Sequence, residues 1–522
     1  MKPAPASLPL PPSGPPGPER PLDRVLLALA LALGALLAFA NLDAQLLWQD
    51  EAQSALLART TLEHGIPLGT DGRNFFSQEL GAEYDEAHRW RWHTWLHLYL
   101  VAGSFALFGE STSAARWPAA LFGVLTLLVV YQLAREWWGR DRVAAHAANA
   151  VLLLLVPFWI LVRQCRYYSL TAFLSTTLLL GYARIAGGRR GGGPIYLLAG
   201  VALFHAHYVY LAPLLVATAV HAALWGRGVL RPVLLSAGGV VALCAPWIVW
   251  QSGMDYGRHY ADQLTEPSLW LANASWFVRS LLVHASGMVA LAGLVLTAGL
   301  VGWRRGRGEL VRLARDRGAT AVALSAIALL ATVSIVAPGP FFRYLTPLLP
   351  LTALALGALV AVVARWHALA ALGLLAAIAA SQPLTRFGYE LTHGFDGPIE
   401  GLVTYLGEHA DPTDVVWITY GDLPLKFYTN LRVLGGLTGE DLSTALQREP
   451  PDWVIVRRHV VHPDRDGVVA DFIADQIDFS TLRKIELPFT DTPFENREEP
   501  AEHRFRSARH GAPVVLFRRA RS

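Results

Sequence analysis

Charge, cysteine and lysine are what this chain has least of. Of its 522 residues only 16% are charged, against roughly 25% in an ordinary soluble domain, while 53% are hydrophobic and the mean hydropathy is +0.34. So few charges cannot cover the surface of the three or four soluble domains that this length suggests at about 150 residues each. The chain therefore reads as a membrane protein. Two cysteines, Cys165 and Cys244, exclude a disulfide framework and any zinc cluster of Cys-x-x-Cys spacing. Lysine occurs only at Lys2, Lys426 and Lys484, and this arginine bias, with abundant Ala, Leu and Gly, reads as a GC-rich, bacterial coding sequence. A net charge of +3 gives no reason to expect nucleic acid. A glycine-rich dinucleotide turn and a phosphate loop are also missing.

What is present is a series of apolar runs. Residues 1–22 form a proline-rich tail, with nine prolines between 2 and 22, expected to be disordered and cytoplasmic. Eleven runs long enough to cross a roughly 30 Å core follow near 23–42, 114–135, 143–162, 168–186, 194–207, 208–225, 230–250, 277–302, 318–338, 343–363 and 366–382. A twelfth apolar stretch, His93 to Gly109, is ambiguous by length, and the charges decide its place. If it does not cross, the segments 1–24, 135–142, 184–193, 226–231, 303–317 and 364–367 share one side with eighteen Lys/Arg, and the opposite short loops hold four. That asymmetry satisfies the positive-inside rule. The fold class expected is thus a polytopic α-helical protein of the cytoplasmic (inner) membrane, with its amino terminus inside. Its membrane domain covers 23–382, residues 43–113 form a first external loop containing a surface helix, and 383–522, where the β-rich runs 415–419, 453–456 and 513–517 alternate with amphipathic stretches such as 397–409 and 468–477, form an extracytoplasmic α/β domain.

The first external loop holds ten carboxylates. Asp50 and Glu51 follow the first span and Trp48, where desolvation by aromatic neighbours raises a carboxylate pKa toward a useful base. The other reading is that Asp50 caps a helix over Ala52–His64 with Glu51 in its first turn, and both readings are compatible. Arg91 and His93 lie in the alternating basic and aromatic run Arg89–His97, read either as an interfacial anchor or as a site for a lipid-linked phosphate, whose oxygens a guanidinium fork matches. Arg163, Arg166, Tyr167 and Tyr168 stand where the third span emerges, His205 and His207 at a later turn, and Arg343-Tyr344 where the tenth span begins. Arginines at external membrane ends run against the charge bias, so they point either to an anionic headgroup or to snorkelling.

These residues carry a resemblance. Trp48-Gln49-Asp50-Glu51-Ala52, the surface helix ending Leu107-Phe108-Gly109, Ala115-Arg116-Trp117-Pro118 running on to Arg135, and Arg163-Gln164-Cys165-Arg166-Tyr167-Tyr168 resemble the membrane glycosyltransferases of the GT-C fold. The resemblance is to the bacterial branch related to protein O-mannosyltransferases and lipid A aminoarabinose transferases. It implies a polyprenyl-phosphate-linked sugar donor, transfer on the outer membrane face to a glycan, lipid or protein acceptor, and catalysis by the aspartate of the Asp-Glu pair, here Asp50. His93-Thr94-Trp95 departs from the His-Pro-Pro or Lys-Pro-Pro frequent in relatives. A flippase or transporter of lipid-linked sugars is the rival class, which favours inverted repeats that the sequence does not show. No cofactor is implied, although Glu83, Asp85 and Glu86 are oxygen ligands of the kind Mg²⁺ or Mn²⁺ takes.

Overall fold

A computed structural model describes residues 19–138, 141–251, 264–300, 316–435, 439–457, 471–491 and 512–520. The expected tail up to residue 18, the arginines between 304 and 315, and the first part of the expected amphipathic stretch 468–477 lie outside the described residues.

Helix α1 (Pro21–Phe39) leads into the acidic loop, which contains α2 (Gln49–His64) and α3 (Leu96–Phe108). The packed membrane helices follow: α4 (Thr112–Trp137), α5 (Arg142–Leu154), α6 (Val156–Val162), α7 (Tyr168–Ala186), α8 (Gly192–His207), α9 (Leu211–Trp225) and α10 (Arg227–Gln251). After them come α11 (Pro267–His284), α12 (Gly287–Leu300), α13 (Arg317–Val336), α14 (Leu348–Trp366), α15 (Ala368–Ala380) and α16 (Leu384–Glu390). Among the described residues, seven helices are long and apolar enough to cross a membrane, or ten when three bent pairs each count as one span. The pair α5–α6 bends by 68° next to Pro157, whose missing N–H cannot continue the helical ladder.

The sequence reading treats 194–225 as two crossings, and the chain does reverse there. His207 is extended, at φ −167° and ψ 105°, and the Tyr196 hydroxyl lies 2.8 Å from Thr218 Oγ1. Twenty-two residues of straight helix would hold these two about 33 Å apart. At the other end of the series, α16 continues the last bent span at 56° and buries Phe387 in the main apolar core, so the packed helices extend past residue 382 to Glu390. Helix α3 is only about 20 Å long and exposes Tyr99, Leu107 and Phe108.

The carboxyl-terminal domain comprises α17 (Pro398–His409), β1 (Val415–Ile418), α18 (Asp422–Tyr428), β2 (Arg432–Gly435), α19 (Leu442–Arg448), β3 (Trp453–Ile455), β4 (Leu482–Thr490) and β5 (Pro513–Arg519). The sheet order is β2-β1-β3-β5-β4, with β2, β1 and β3 parallel and β5 antiparallel to both β3 and β4. One face of β1, β3 and β5 supplies a core in which Val416, Ile418, Trp453, Val514 and Leu516 meet Ile399 and Leu402 of α17. A second core joins this domain to the loop: Leu423 and Phe427 of α18 pack with Ala52, Ala55 and Leu56 of α2, Val101 and Phe105 of α3, and Cys165. Loop, short helix and α/β domain therefore sit together at one end of the bundle.

Candidate functional site

The site is built around the first turn of α2. Glu51 is fully buried, and both of its oxygens are occupied. Arg116 of α4 donates Nε to Oε1 at 2.8 Å and Nη2 to Oε2 at 2.6 Å, the Cys165 amide donates to Oε1 at 2.6 Å, and the Trp48 amide donates to Oε2 at 3.4 Å. The same guanidinium also donates to the carbonyls of Leu42, Gln45 and Leu46. Glu51, expected among the catalytic residues, thus ties loop to membrane helix, with no oxygen turned toward a substrate. It also takes the helix-start role expected of Asp50: α2 begins at Gln49, and it is Glu51 that reaches back to the Trp48 amide.

Asp50, one residue earlier and 100° away around the helix, faces elsewhere. Its Oδ2 lies 3.4 Å from Arg343 Nη1, an attraction of about 5 kcal/mol at an effective dielectric constant of about 20. Arg343 is carried in a short 3₁₀ turn, Phe342–Leu345, where Pro338 and Pro340 stop α13 from continuing. Its guanidinium sits 5.6 Å from the Trp48 ring, 4.5 Å from Phe341 and 5.6 Å from Tyr344. Arg166, in the turn before α7, donates Nη1 to the Asp50 carbonyl and to Ser54 Oγ, both at 3.1 Å, and lies 5.2 Å from the Tyr167 ring. One guanidinium thus pairs with the Asp50 carboxylate and a second holds its backbone carbonyl.

Imidazoles and aromatics close the back. The buried His93 ring contacts Trp90 at 5.6 Å and Tyr167 at 5.9 Å, and Nδ1 lies 3.3 Å from the Thr94 carbonyl. Burial, reinforced by the nearby Arg166 charge, pushes the His93 pKa down to about 3, so this imidazole is neutral at physiological pH. The His207 ring lies 4.3 Å from Tyr167, tilted by 43°, and the Tyr210 hydroxyl donates to the Tyr344 carbonyl at 3.2 Å. Among the described residues, several buried polar atoms here have no hydrogen-bond partner: Trp48 Nε1, His97 Nε2, Arg166 Nε and the Tyr168 hydroxyl. Each such group costs about 1–3 kcal/mol, and their concentration around Asp50 is what a polar ligand's binding would offset.

Asp50, Arg166, Tyr167, Arg343, Tyr344 and His93 are thus brought together, and three other expected site residues are not. Glu51 is spent on Arg116. Arg163 caps the end of α1, donating to the carbonyls of Leu37, Ala38 and Asn41 at 3.0, 3.1 and 3.1 Å, which corrects its expected contact with a lipid phosphate, since helix-end carbonyls need donors of their own. Arg91 stacks 4.5 Å over Trp250, hydrogen-bonds the Trp250 carbonyl and lies 3.9 Å from Asp85. That places it beside the end of α10, a corrected role for it as an anchor. Arg116 is the functional neighbour that sequence reading missed. The signal was there, because an arginine one turn into an apolar span has to find a counter-charge.

The loop carboxylates do not fit a divalent cation. Among the described residues no three His, Cys, Asp or Glu side chains are grouped to hold one. The Glu83 oxygens accept from the Ser77 hydroxyl and from the Gln78 amide at 2.7 Å, while Asp85 holds Arg89 at 2.8–2.9 Å. No step of the chemistry below is routed through a metal.

Residues 92–250 match the family model described as dolichyl-phosphate-mannose-protein mannosyltransferase, a stretch that includes His93, Arg166 and Tyr167 but neither Asp50 nor Arg343. No curated protein is similar enough in sequence to match. Among solved structures, the chain is similar to ArnT from Cupriavidus metallidurans in the apo state, with a TM-score of 0.59 and 16% identity over 95% of this chain and 98% of that one. The same protein bound to undecaprenyl phosphate aligns at 0.54 and 16% identity, with the same coverage. The archaeal oligosaccharyltransferase AglB from Archaeoglobus fulgidus, in complex with an inhibitory peptide and a dolichol-phosphate, aligns at 0.53 and 11% identity over 84% of this chain and 69% of that one. The chain is a multi-pass membrane protein with the GT-C fold that these structures share.

Proposed function

We propose that this protein is a membrane glycosyltransferase that moves a sugar from a polyprenyl-phosphate donor to an acceptor hydroxyl at the outer face of the cytoplasmic membrane, with Asp50 as the base. The observation that carries this reading is the Asp50 carboxylate held 3.4 Å from Arg343, with Arg166 fixed on the Asp50 backbone carbonyl beside it, amid buried polar atoms that lack hydrogen-bond partners. ArnT bound to undecaprenyl phosphate and AglB with a dolichol-phosphate support the donor class, and the excess of Lys/Arg in one set of short loops of the sequence supports the orientation.

The residues divide the work. The acceptor oxygen attacks the anomeric carbon as its proton passes to Asp50, and the bond from that carbon to the phosphate oxygen breaks with its electron pair going to the phosphate. The group that departs, a polyprenyl phosphate monoester, leaves well without protonation, so no general acid is needed. Arg343 and Arg166 face the charge that develops on the departing oxygen, in a site whose aromatic walls exclude water and strengthen the interaction. One displacement inverts the anomeric configuration. Neutral His93 hydrogen-bonds without adding a third positive charge, and Glu51 with Arg116 holds the turn that presents the base.

The test is donor consumption by purified full-length protein in nanodiscs, given radiolabelled undecaprenyl-phosphate mannose, glucose or 4-aminoarabinose together with solubilised envelope extract as acceptor. Label moves from the lipid to an acceptor in the wild type. Asp50→Asn leaves a folded protein with transfer reduced about 10² to 10⁴-fold. Full transfer by that variant would refute the base assignment, and movement of intact donor between leaflets without its consumption would replace transferase by flippase.

A further inference from the structure

Asp422 and Lys426, one turn apart on α18, have no exposed side-chain surface and pair at 2.6 Å. Lys426 is one of only three lysines in the chain, and its Nζ also donates to the Phe75 carbonyl of the acidic loop at 2.7 Å. The remaining Asp422 oxygen, Oδ1, accepts from Gln49 Nε2 at 2.7 Å. Gln49 is the first residue of α2 and the neighbour of Asp50. Two stretches of the acidic loop thus meet α18, 373 and 351 residues away in sequence, in one largely buried polar chain.

Stability is a poor account of such a pair. Desolvating two charges costs several kcal/mol per ion, and well-packed apolar side chains of similar volume often serve as well or better. What a buried pair with fixed hydrogen bonds supplies is a unique arrangement. Gly421, at φ 98°, makes the turn that sends β1 into α18, and a Cβ there would meet Ile399 Cδ1 at 2.7 Å, so the direction in which Asp422 emerges is set by a tight turn.

We propose that Asp422 is a positioning residue for Asp50, acting from the α/β domain through Gln49. Successive helical residues are 100° apart. Glu51 is gripped from the membrane side by Arg116 and Gln49 from the domain side by Asp422, so the turn between them has no rotational play. A carboxylate about 6 Å from the helix axis moves about 1 Å for every 10° of helix rotation, and a misplacement of that size costs on the order of 10²-fold in rate. The role rests on the reading of Asp50 as the base and gives the α/β domain a part in catalysis without a contact to substrate.

The test uses the full chain in nanodiscs with Gln49→Leu, which leaves the Asp422–Lys426 pair intact, alongside Asp422→Asn, which removes the anchoring charge. Deuterium exchange over residues 49–54 is expected to rise about tenfold in both variants, with α3 and the sheet unchanged. Turnover of the undecaprenyl-phosphate sugar consumed by the wild type is expected to fall about 10 to 10²-fold with donor KM within about twofold. Wild-type exchange in the first turn of α2 overturns the proposal whatever the donor, and so does a raised KM at unchanged kcat. In an Asp50→Asn background, Gln49→Leu is expected to cause no further loss, and an additive loss overturns it. Full activity of Asp50→Asn alone would refute the base assignment, a result separate from the exchange measurement.

Discussion

Glu51→Gln separates the two members of the acidic pair. The substitution preserves shape and removes one charge. In the native site Oε1 accepts from Arg116 Nε and the Cys165 amide, and Oε2 accepts from Arg116 Nη2 and the Trp48 amide. A glutamine offers one oxygen and one NH₂, so whichever way it sits, N–H donors oppose N–H donors on one side. Arg116 is then a buried cation whose remaining partners are carbonyls. Breaking a buried pair by removing one partner costs about 3–5 kcal/mol. Interactions absent from the unfolding transition state appear in the unfolding rate, so the thermal inactivation half-life in detergent is expected to shorten by roughly 10²-fold or more. Donor turnover per folded molecule is expected to stay within about threefold of wild type. Asp50→Asn is expected to differ in turnover per folded molecule, which is lost there and kept in Glu51→Gln. The reasoning is refuted if Glu51→Gln shows the wild-type half-life together with lost turnover, because Glu51 would then act on substrate.

Other predictions concern the loop, the arginines and the topology. Burial lifts the Glu83 pKa from 4.5 to about 7, so the folded state holds this proton more tightly than the unfolded one. Stability should then be highest below about pH 4.5, decline by about 3 kcal/mol as pH rises to about 7, and level off above. Glu83→Gln is expected to remove that component from the melting temperature measured across pH 5 to 8, and an unchanged slope would count against it. Arg163→Met leaves three α1 carbonyls without their donor and should lower stability by about 1–3 kcal/mol while leaving the donor KM within about twofold. Arg343→Met should reduce kcat/KM at least about tenfold, so equal effects of the two on kinetics would contradict the assignment. Reporter fusions after Gly192 are expected to report cytoplasm and those after Arg448 the outside, and the reverse would restore the 93–109 segment as a span.

The parts of the fold most legible in the sequence were those set by solvent. Apolar length and the sidedness of arginines indicate a multi-pass bundle and leave 93–109 as a short helix, observed over Leu96–Phe108. Short runs rich in β-branched and aromatic residues mark β1, β3 and β5. That signal misses β2, where Arg432 and Gly435 bracket only two apolar residues, and β4, whose Arg483, Lys484 and Glu486 stand exposed and read as loop. In the site, the unusual positions of Asp50, Arg166 and Arg343 in an apolar context were enough to single them out, since an ionisable group near a membrane needs a partner or a task.

Choosing between partner and task was beyond the sequence. Asp50 and Glu51 are adjacent and chemically alike, yet a 100° rotation sends one to Arg343 and the other to Arg116. Arg163 and Arg166 are three residues apart, and only the fold shows that the first caps α1 while the second reaches α2. Nor does local sequence tie Lys426 and Asp422 to Gln49. Composition and periodicity report what a residue's surroundings are, because water and lipid act on each residue locally. Which charge meets which is decided by contacts hundreds of residues apart in sequence, and these exist only once the helices have packed.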